Sequence, residues 1–267
     1  MTEHILTVLV GLVIGLTLGA LGGGGSILTV PALVYLLGQS GQSASTASLV
    51  IVGTTSLIGM ISYARDRRVH WLAGLTFGAA GIASSYLGTR ANRQVPESVL
   101  LTSFAALMVA VGVLMLLKSR RHRSTRTGSG DGDHPPASQP KSPTRWRTSA
   151  VVHLIAAGLV VGFLTGFLGV GGGFLIVPAL TMALDMPMVT AVGTSLLVIA
   201  INSAMALTAR LQHPALDWSV IVPVTVAAVF ASLVGKLIGT RIPSRILTRS
   251  FAVLVIAVAG YMGLRAV

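Results

Sequence analysis

Two stretches of the chain could do chemistry, and they are nearly the same stretch: GALGGGGSILTVPAL at Gly19 to Leu33 and GFLGVGGGFLIVPAL at Gly166 to Leu180. Runs of glycine in an apolar segment disfavour a continuous helix. The chain is therefore expected to break twice, around Gly22, Gly24 and Gly25 and again around Gly169, Gly171 and Gly172. Each break leads into a short apolar helix that starts near Ser26 or Gly173 and carries Pro31 or Pro178. The unpaired N–H groups and the positive dipole end of that helix point into the break, which is an anion-binding device. At membrane depth such backbone survives only where protein buries it or it lines a watery cavity. Glycines that merely let helices pack closely are the competing explanation, and the stronger one for the single pair Gly11 and Gly15. A carbonyl-rich break could hold a cation instead. A side chain at Gly25 or Gly172 is expected to block the approach of substrate to the backbone.

The segments that follow the breaks add hydroxyl and amide groups where lipid would favour none. In the first they include Ser48, Thr55 and Ser56, and in the second Thr194, Ser195, Asn202 and Ser203. Asn202 lies mid-segment, where an amide is costly unless bonded, so it is either a ligand or an interhelical hydrogen-bonding group. The serines and threonines can return a bond to their own helix. All seven carboxylates and all six histidines fall at segment ends, in loops or in the linker. A protein-borne proton relay and a carboxylate-lined cation site therefore lack their residues, and any proton coupling is expected to ride on the substrate. Lys236, four residues before Thr240, is the one charge inside a span and is read as snorkelling to the interface.

The elements that must position these groups belong in a membrane. Of 267 residues 53% are hydrophobic and only 10% charged, with a mean hydropathy of +0.83, too little charge to cover a soluble domain. The absence of cysteine excludes disulfides and thiolate metal sites. The net charge of +12 sits in short loops and one linker, as positive-inside topology requires, rather than forming a nucleic-acid footprint. The first segment, Ile5 to Leu21, follows Glu3 and His4 instead of a basic leader and is expected to be retained. Trp71 and Trp218 read as interfacial anchors. Enzyme motifs are lacking: the glycines have no Lys-Ser/Thr of a phosphate loop, and no Ser/His pair lies within the spans. No cofactor or metal is implied.

The chain is one unit written twice. At an offset of 147, Gly11, Gly15, Gly19, Pro31, Ser48, Ser56, Trp71, Gly88 and Pro96 fall on identical residues, and Thr55 falls on Asn202. About thirty identities accumulate, where composition alone would give roughly ten. Residues 4–117 form the first repeat, 118–149 a basic, Pro- and Ser-rich linker without periodicity, and 151–265 the second repeat. The first repeat reads as apolar segments Ile5 to Leu21, Ser26 to Leu37, Ala44 to Tyr63, Leu72 to Thr89 and Ser98 to Leu117, and the second repeats them 147 residues on. The second segment is too short to span upright: twelve helical residues rise about 18 Å against a hydrocarbon core of roughly 30 Å.

The basic residues lie in the loop Arg65 to His70 in copy one but one loop later, at Arg241, Arg245 and Arg249, in copy two. That shift implies an odd number of crossings per repeat, hence inverted topology, with the linker cytoplasmic and both termini outside. Five crossings, or three plus a re-entrant hairpin, satisfy it equally. The expected fold is an all-α, multi-pass membrane protein of two inverted repeats broken at the glycine motifs, in contact with the bilayer and compatible with a homo-oligomer.

The paired glycine motifs ending in VPAL, the GTSL at Gly193 to Leu196, and the loop-plus-Trp at Trp71 and Trp218 resemble the sulfite exporter TauE/SafE family, also called the 4-toluene sulfonate uptake permease family. The resemblance covers both repeats. It implies a bacterial inner-membrane permease for a small sulfur anion such as sulfite or an organosulfonate, with Gly22, Gly24, Gly25, Pro31, Gly169, Gly171, Gly172, Pro178, Thr194 and Ser195 matching the family's motif. Copy one departs from copy two at Ala47, where copy two has Thr194. The residues themselves favour a small oxyanion without selecting sulfur. A membrane-embedded enzyme or scaffold, or a carrier for another small anion, is the alternative.

Overall fold

The computed structural model describes residues 2–92, 97–124, 148–168, 173–208 and 217–266, which form ten α-helices and no strand among the described residues. In the first repeat these are α1 (Thr2–Leu21), α2 (Gly24–Tyr35), α3 (Gly41–Arg65), α4 (Trp71–Asn92) and α5 (Glu97–Ser124). The second has α6 (Thr148–Leu168), α7 (Gly173–Ala183), α8 (Met188–Thr208), α9 (Trp218–Arg241) and α10 (Ser244–Ala266). Five helices per repeat match the five apolar segments. Helix α5 runs on to Ser124, into the stretch read as linker from Lys118, and 125–147 lie outside the described residues, as do Gly169, Gly171 and Gly172.

Helices that are apolar all round need lipid on whatever face protein does not cover. On α9, Val222, Val226, Phe230, Val234 and Leu237 are exposed along one stripe, while Val224, Ala228, Ala231, Ser232, Gly235 and Gly239 are buried on the other. Helices α3, α8 and α9 are long and apolar enough to cross a membrane, so this is a membrane protein.

The repeats interlock. Small residues every fourth position let α1 lie against α9: a Cβ on Gly11 would come 2.6 Å from the Val224 carbonyl oxygen, and at Gly15 and Gly19 it would strike the backbone of Ala228 and Ser232. The residue numbers rise together, so α1 and α9 are parallel. Helix α6 lies against α4 in the same way, with Gly158 on Phe77, Gly162 on Gly81 and Gly166 on Ser85. Helix 1 of each repeat thus packs on helix 4 of the other, and α5 packs on α10. Helices α3 and α8 meet with opposite sense, since Gly53 faces Ser203, Gly59 faces Leu196 and Tyr63 faces Gly193. They cross at the level of Thr54 and Thr55 on one helix and Ile201 and Asn202 on the other.

Candidate functional site

The break in copy one forms where it was expected. α1 ends at Leu21, and Gly22 turns the chain with φ 71°, a left-handed conformation that costs an L side chain about 1–2 kcal/mol. A Cβ there would also meet the Ser195 hydroxyl at 2.6 Å. Helix α2 then starts at Gly24, and its N-cap residue Gly23 supplies no side-chain cap to the first turn. The start of α7 comes to the same place. A Cβ on Gly23 would strike the backbone of Gly173, and a Cβ on Gly173 would lie 2.7 Å from the Ser26 hydroxyl. Ser26 and Gly173 are equivalent under the offset of 147, so the two short helices abut end to end with their positive poles together. Pro31 and Pro178 sit inside these helices, each leaving the carbonyl four residues earlier without its helical donor.

Around this junction the polar groups fall into two sets. One set is spoken for. The Ser48 hydroxyl donates to the Ser45 carbonyl, that of Ser195 to Val192, and that of Ser26 to Gly23, each within its own chain segment at 2.7–2.8 Å. Thr194 donates to the Thr190 carbonyl and accepts from the backbone N–H of His70 at 3.1 Å, tying α8 to the start of α4. The equivalent start of α9 is capped by its own Asp217, which accepts from the Ser219 N–H at 3.0 Å. Ala47, the equivalent of Thr194, offers no such acceptor to the start of α9, so the two copies differ in how helix 4 begins. Thr194, expected at the substrate, makes its two bonds within the protein.

The other set has no partner. The Thr55 and Ser56 hydroxyls and the Asn202 amide oxygen are buried without a hydrogen bond, and both Thr55 and Ser56 are 0% exposed. Each such group costs about 1–3 kcal/mol if nothing pairs with it. They occupy one level of the α3/α8 crossing. Asn202 and Ser203 lie one helical turn beyond Ile199, whose side chain is 3.2 Å from the Cβ position of Gly173, so the level adjoins the junction of α2 and α7. Ser203 is also buried, against Gly53. Hydroxyls donate or accept, and an amide can turn its NH₂ toward the same point. Two helix starts and three unpaired groups with no carboxylate among them suit an oxyanion.

The glycines do more packing than was expected. A Cβ on Gly25 would lie 2.7 Å from the Ile14 carbonyl oxygen and 2.8 Å from Leu18, so α1 fills the space assigned to substrate. That of Gly24 points at Leu254 and Phe251.

Sequence reasoning missed one cluster. Lys236 is not merely snorkelling: its ammonium pairs with Asp66 at 2.7 Å, donates to the Ser62 carbonyl at 2.7 Å and hydroxyl at 2.9 Å, and lies 5.7 Å from the Tyr63 ring. A cation at the C-terminal end of α3 is favourably placed against the helix dipole, and its hydrogen bond holds the Asp66 carboxyl below the usual carboxylate range. Tyr63 in turn donates to the Gly19 carbonyl at 2.8 Å, just before the break. The pair also puts the Arg65 to Arg68 loop and the end of α9 on one face. Nothing in the spacing of Asp66 and Lys236 announces a contact across 170 residues.

The model of the sulfite exporter TauE/SafE family matches residues 7–262. The chain belongs to the sulfite exporter TauE/SafE family. Similar proteins include a "Probable membrane transporter protein" of Xylella fastidiosa (strain 9a5c), 34% identical over 97% of this chain and 94% of its own length. Others bearing that description are found in Methanocaldococcus jannaschii, 24% identical over 97% of this chain and 93% of the relative, and in Bacillus subtilis, 25% identical over 96% of each. No solved structure matches. The TauE/SafE match runs through both glycine motifs and the α3/α8 crossing alike.

Proposed function

We propose that this membrane transporter is a secondary carrier for a small sulfur-containing oxyanion, sulfite or an organosulfonate, in the bacterial inner membrane. The reading is carried by a pairing of features: the positive ends of α2 and α7 meet, and at the neighbouring α3/α8 crossing Thr55, Ser56 and Asn202 keep buried polar atoms without a partner. Such a site stabilises negative charge without a compensating cation and gives a singly charged anion enough donors to replace its water. The family name supports sulfur as the central atom.

The packing favours inverted repeats. Helix α3 runs antiparallel to its own equivalent α8, which a two-fold axis gives only when it lies across both helices, hence in the membrane plane. Gly25 on Leu18, with Leu33 clustered beside Val10 and Ile14, lays α2 back along α1. An antiparallel α1/α2 pair fits both arrangements left open by the charges; the twelve residues of α2, about 18 Å of helix against a hydrocarbon core of roughly 30 Å, favour a re-entrant hairpin followed by three crossings in each repeat. The basic face shared by Arg65 to Arg68 and Arg241 is then cytoplasmic, together with the linker, and both termini are periplasmic.

Counterflow in proteoliposomes tests the carrier. Labelled sulfite or sulfonate should accumulate against a preloaded excess of the same anion. No exchange with sulfite, sulfonates, sulfate or phosphate would reject it, since a membrane enzyme or scaffold does not exchange anions.

A further inference from the structure

A second site lies away from the junction. A cavity of about 470 Å³ opens between the C-terminal end of α7, the loop after it, α5 and the start of α10. Thr181 on its wall is eight residues along α7 from Gly173, about 12 Å of helix. Its lining is rich in methionine: Met115, Met182, Met186 and Met188, four of the nine in the chain. Unbranched thioether side chains adapt to flexible apolar groups. Opposite charges share the lining. Arg245 stands in the first turn of α10, and Asp185 in the loop, held at φ 48°. Both already make interactions within the protein, which a bound headgroup would share. Ser244 and Thr248 add hydroxyls beside Arg245.

The volume lies in the range of small-molecule sites and far exceeds a bare oxyanion. A guanidinium with adjacent hydroxyls recognises a phosphate-like oxyanion, a carboxylate recognises a primary ammonium, and the methionines recognise a chain. We infer that this cavity binds a zwitterionic amphiphile, an oxyanion and a primary ammonium on one headgroup with an apolar tail, such as an ethanolamine phospholipid of the inner leaflet. The position agrees with that source, because α10 begins next to the basic end of α9, at the membrane surface. This site is independent of the substrate reading above, and only its leaflet rests on the orientation proposed there.

The test uses delipidated full-length protein in detergent, followed by native mass spectrometry and thermal unfolding. Phosphatidylethanolamine should bind and stabilise, more strongly than phosphatidylglycerol, which lacks the ammonium, or phosphatidylcholine, whose quaternary ammonium cannot donate a hydrogen bond. Arg245→Gln should weaken binding about tenfold or more, the loss of a charge-assisted hydrogen bond. Asp185→Asn should reverse the order of the ethanolamine and glycerol lipids while leaving anion counterflow intact. Stabilisation by free phosphoethanolamine as strong as by the lipid would keep the headgroup chemistry and assign the site to a soluble zwitterion. Equal binding of all three lipids in wild type, or binding unchanged in both variants, would overturn the proposal.

Discussion

Thr55→Val is the most informative single change, because stability and binding should move in opposite directions. Valine keeps the shape of threonine and removes one buried hydroxyl that has no partner. The desolvation cost of such a group is about 1–3 kcal/mol in a protein interior, and polar groups in lipid find partial partners before folding, which leaves roughly 1 kcal/mol to be regained. Ligand-free Thr55→Val should therefore unfold at the same temperature as wild type or a few degrees higher. If the hydroxyl donates to a bound oxyanion, the lost bond is of the charged kind, about 1.5–3 kcal/mol, or a ten- to hundredfold weaker Kd. The measurement is thermal unfolding in detergent over a titration of sulfite and a short alkyl sulfonate, repeated for Ser56→Ala and Asn202→Leu, with counterflow alongside. A variant that unfolds earlier without ligand yet binds with wild-type affinity would show that the hydroxyl is structural and that the site lies elsewhere.

Thr194→Ala removes the acceptor for the His70 N–H and should cost about 1 kcal/mol of stability with little change in anion affinity; a selective loss of affinity would return Thr194 to the site. Gly22→Ala meets both an unfavourable φ and the Ser195 hydroxyl, so a loss of about 2 kcal/mol is expected in unfolding experiments, and an unchanged midpoint would mean the turn can relax. The Asp66 carboxyl is held below its ordinary value by Lys236, so the pair stabilises the fold above the unfolded-state value of 3.8 and fades only as pH falls through the lower folded value. Melting curves of wild type and Asp66→Asn should accordingly stay separated from neutral pH down to about 5 and converge in stronger acid, and convergence near pH 6 would contradict the pairing. Single cysteines at Thr2 and Ser129, probed with an impermeant maleimide in spheroplasts, should label Thr2 and spare Ser129; the reverse pattern would invert the proposed orientation.

The ten helices were legible because each is a local property: an apolar run of helical length, punctuated by glycine, and written twice in a register that never slips. The break at Gly22 was legible for the same reason, since four adjacent glycines weaken a helix wherever they fall. The shift of basic loops between the copies pointed to opposite orientations and left five crossings and three equally open, whereas the folding of α2 back along α1, with Gly25 on Leu18, is a tertiary contact that no loop count contains. Residue type could not separate the hydroxyls either. Ser48, Thr55, Ser56, Thr194 and Ser195 look alike in a sequence, and only packing shows that Ser48 and Ser195 bond to their own helices, that Thr194 caps α4, and that Thr55 and Ser56 are left over. Lys236 and Asp66 make the point most plainly. A sequence reports that a charge lies near the end of a span, which composition and periodicity constrain, but the partner is set by how α9 lies against α3, and that angle is decided by close approach between residues far apart in the chain.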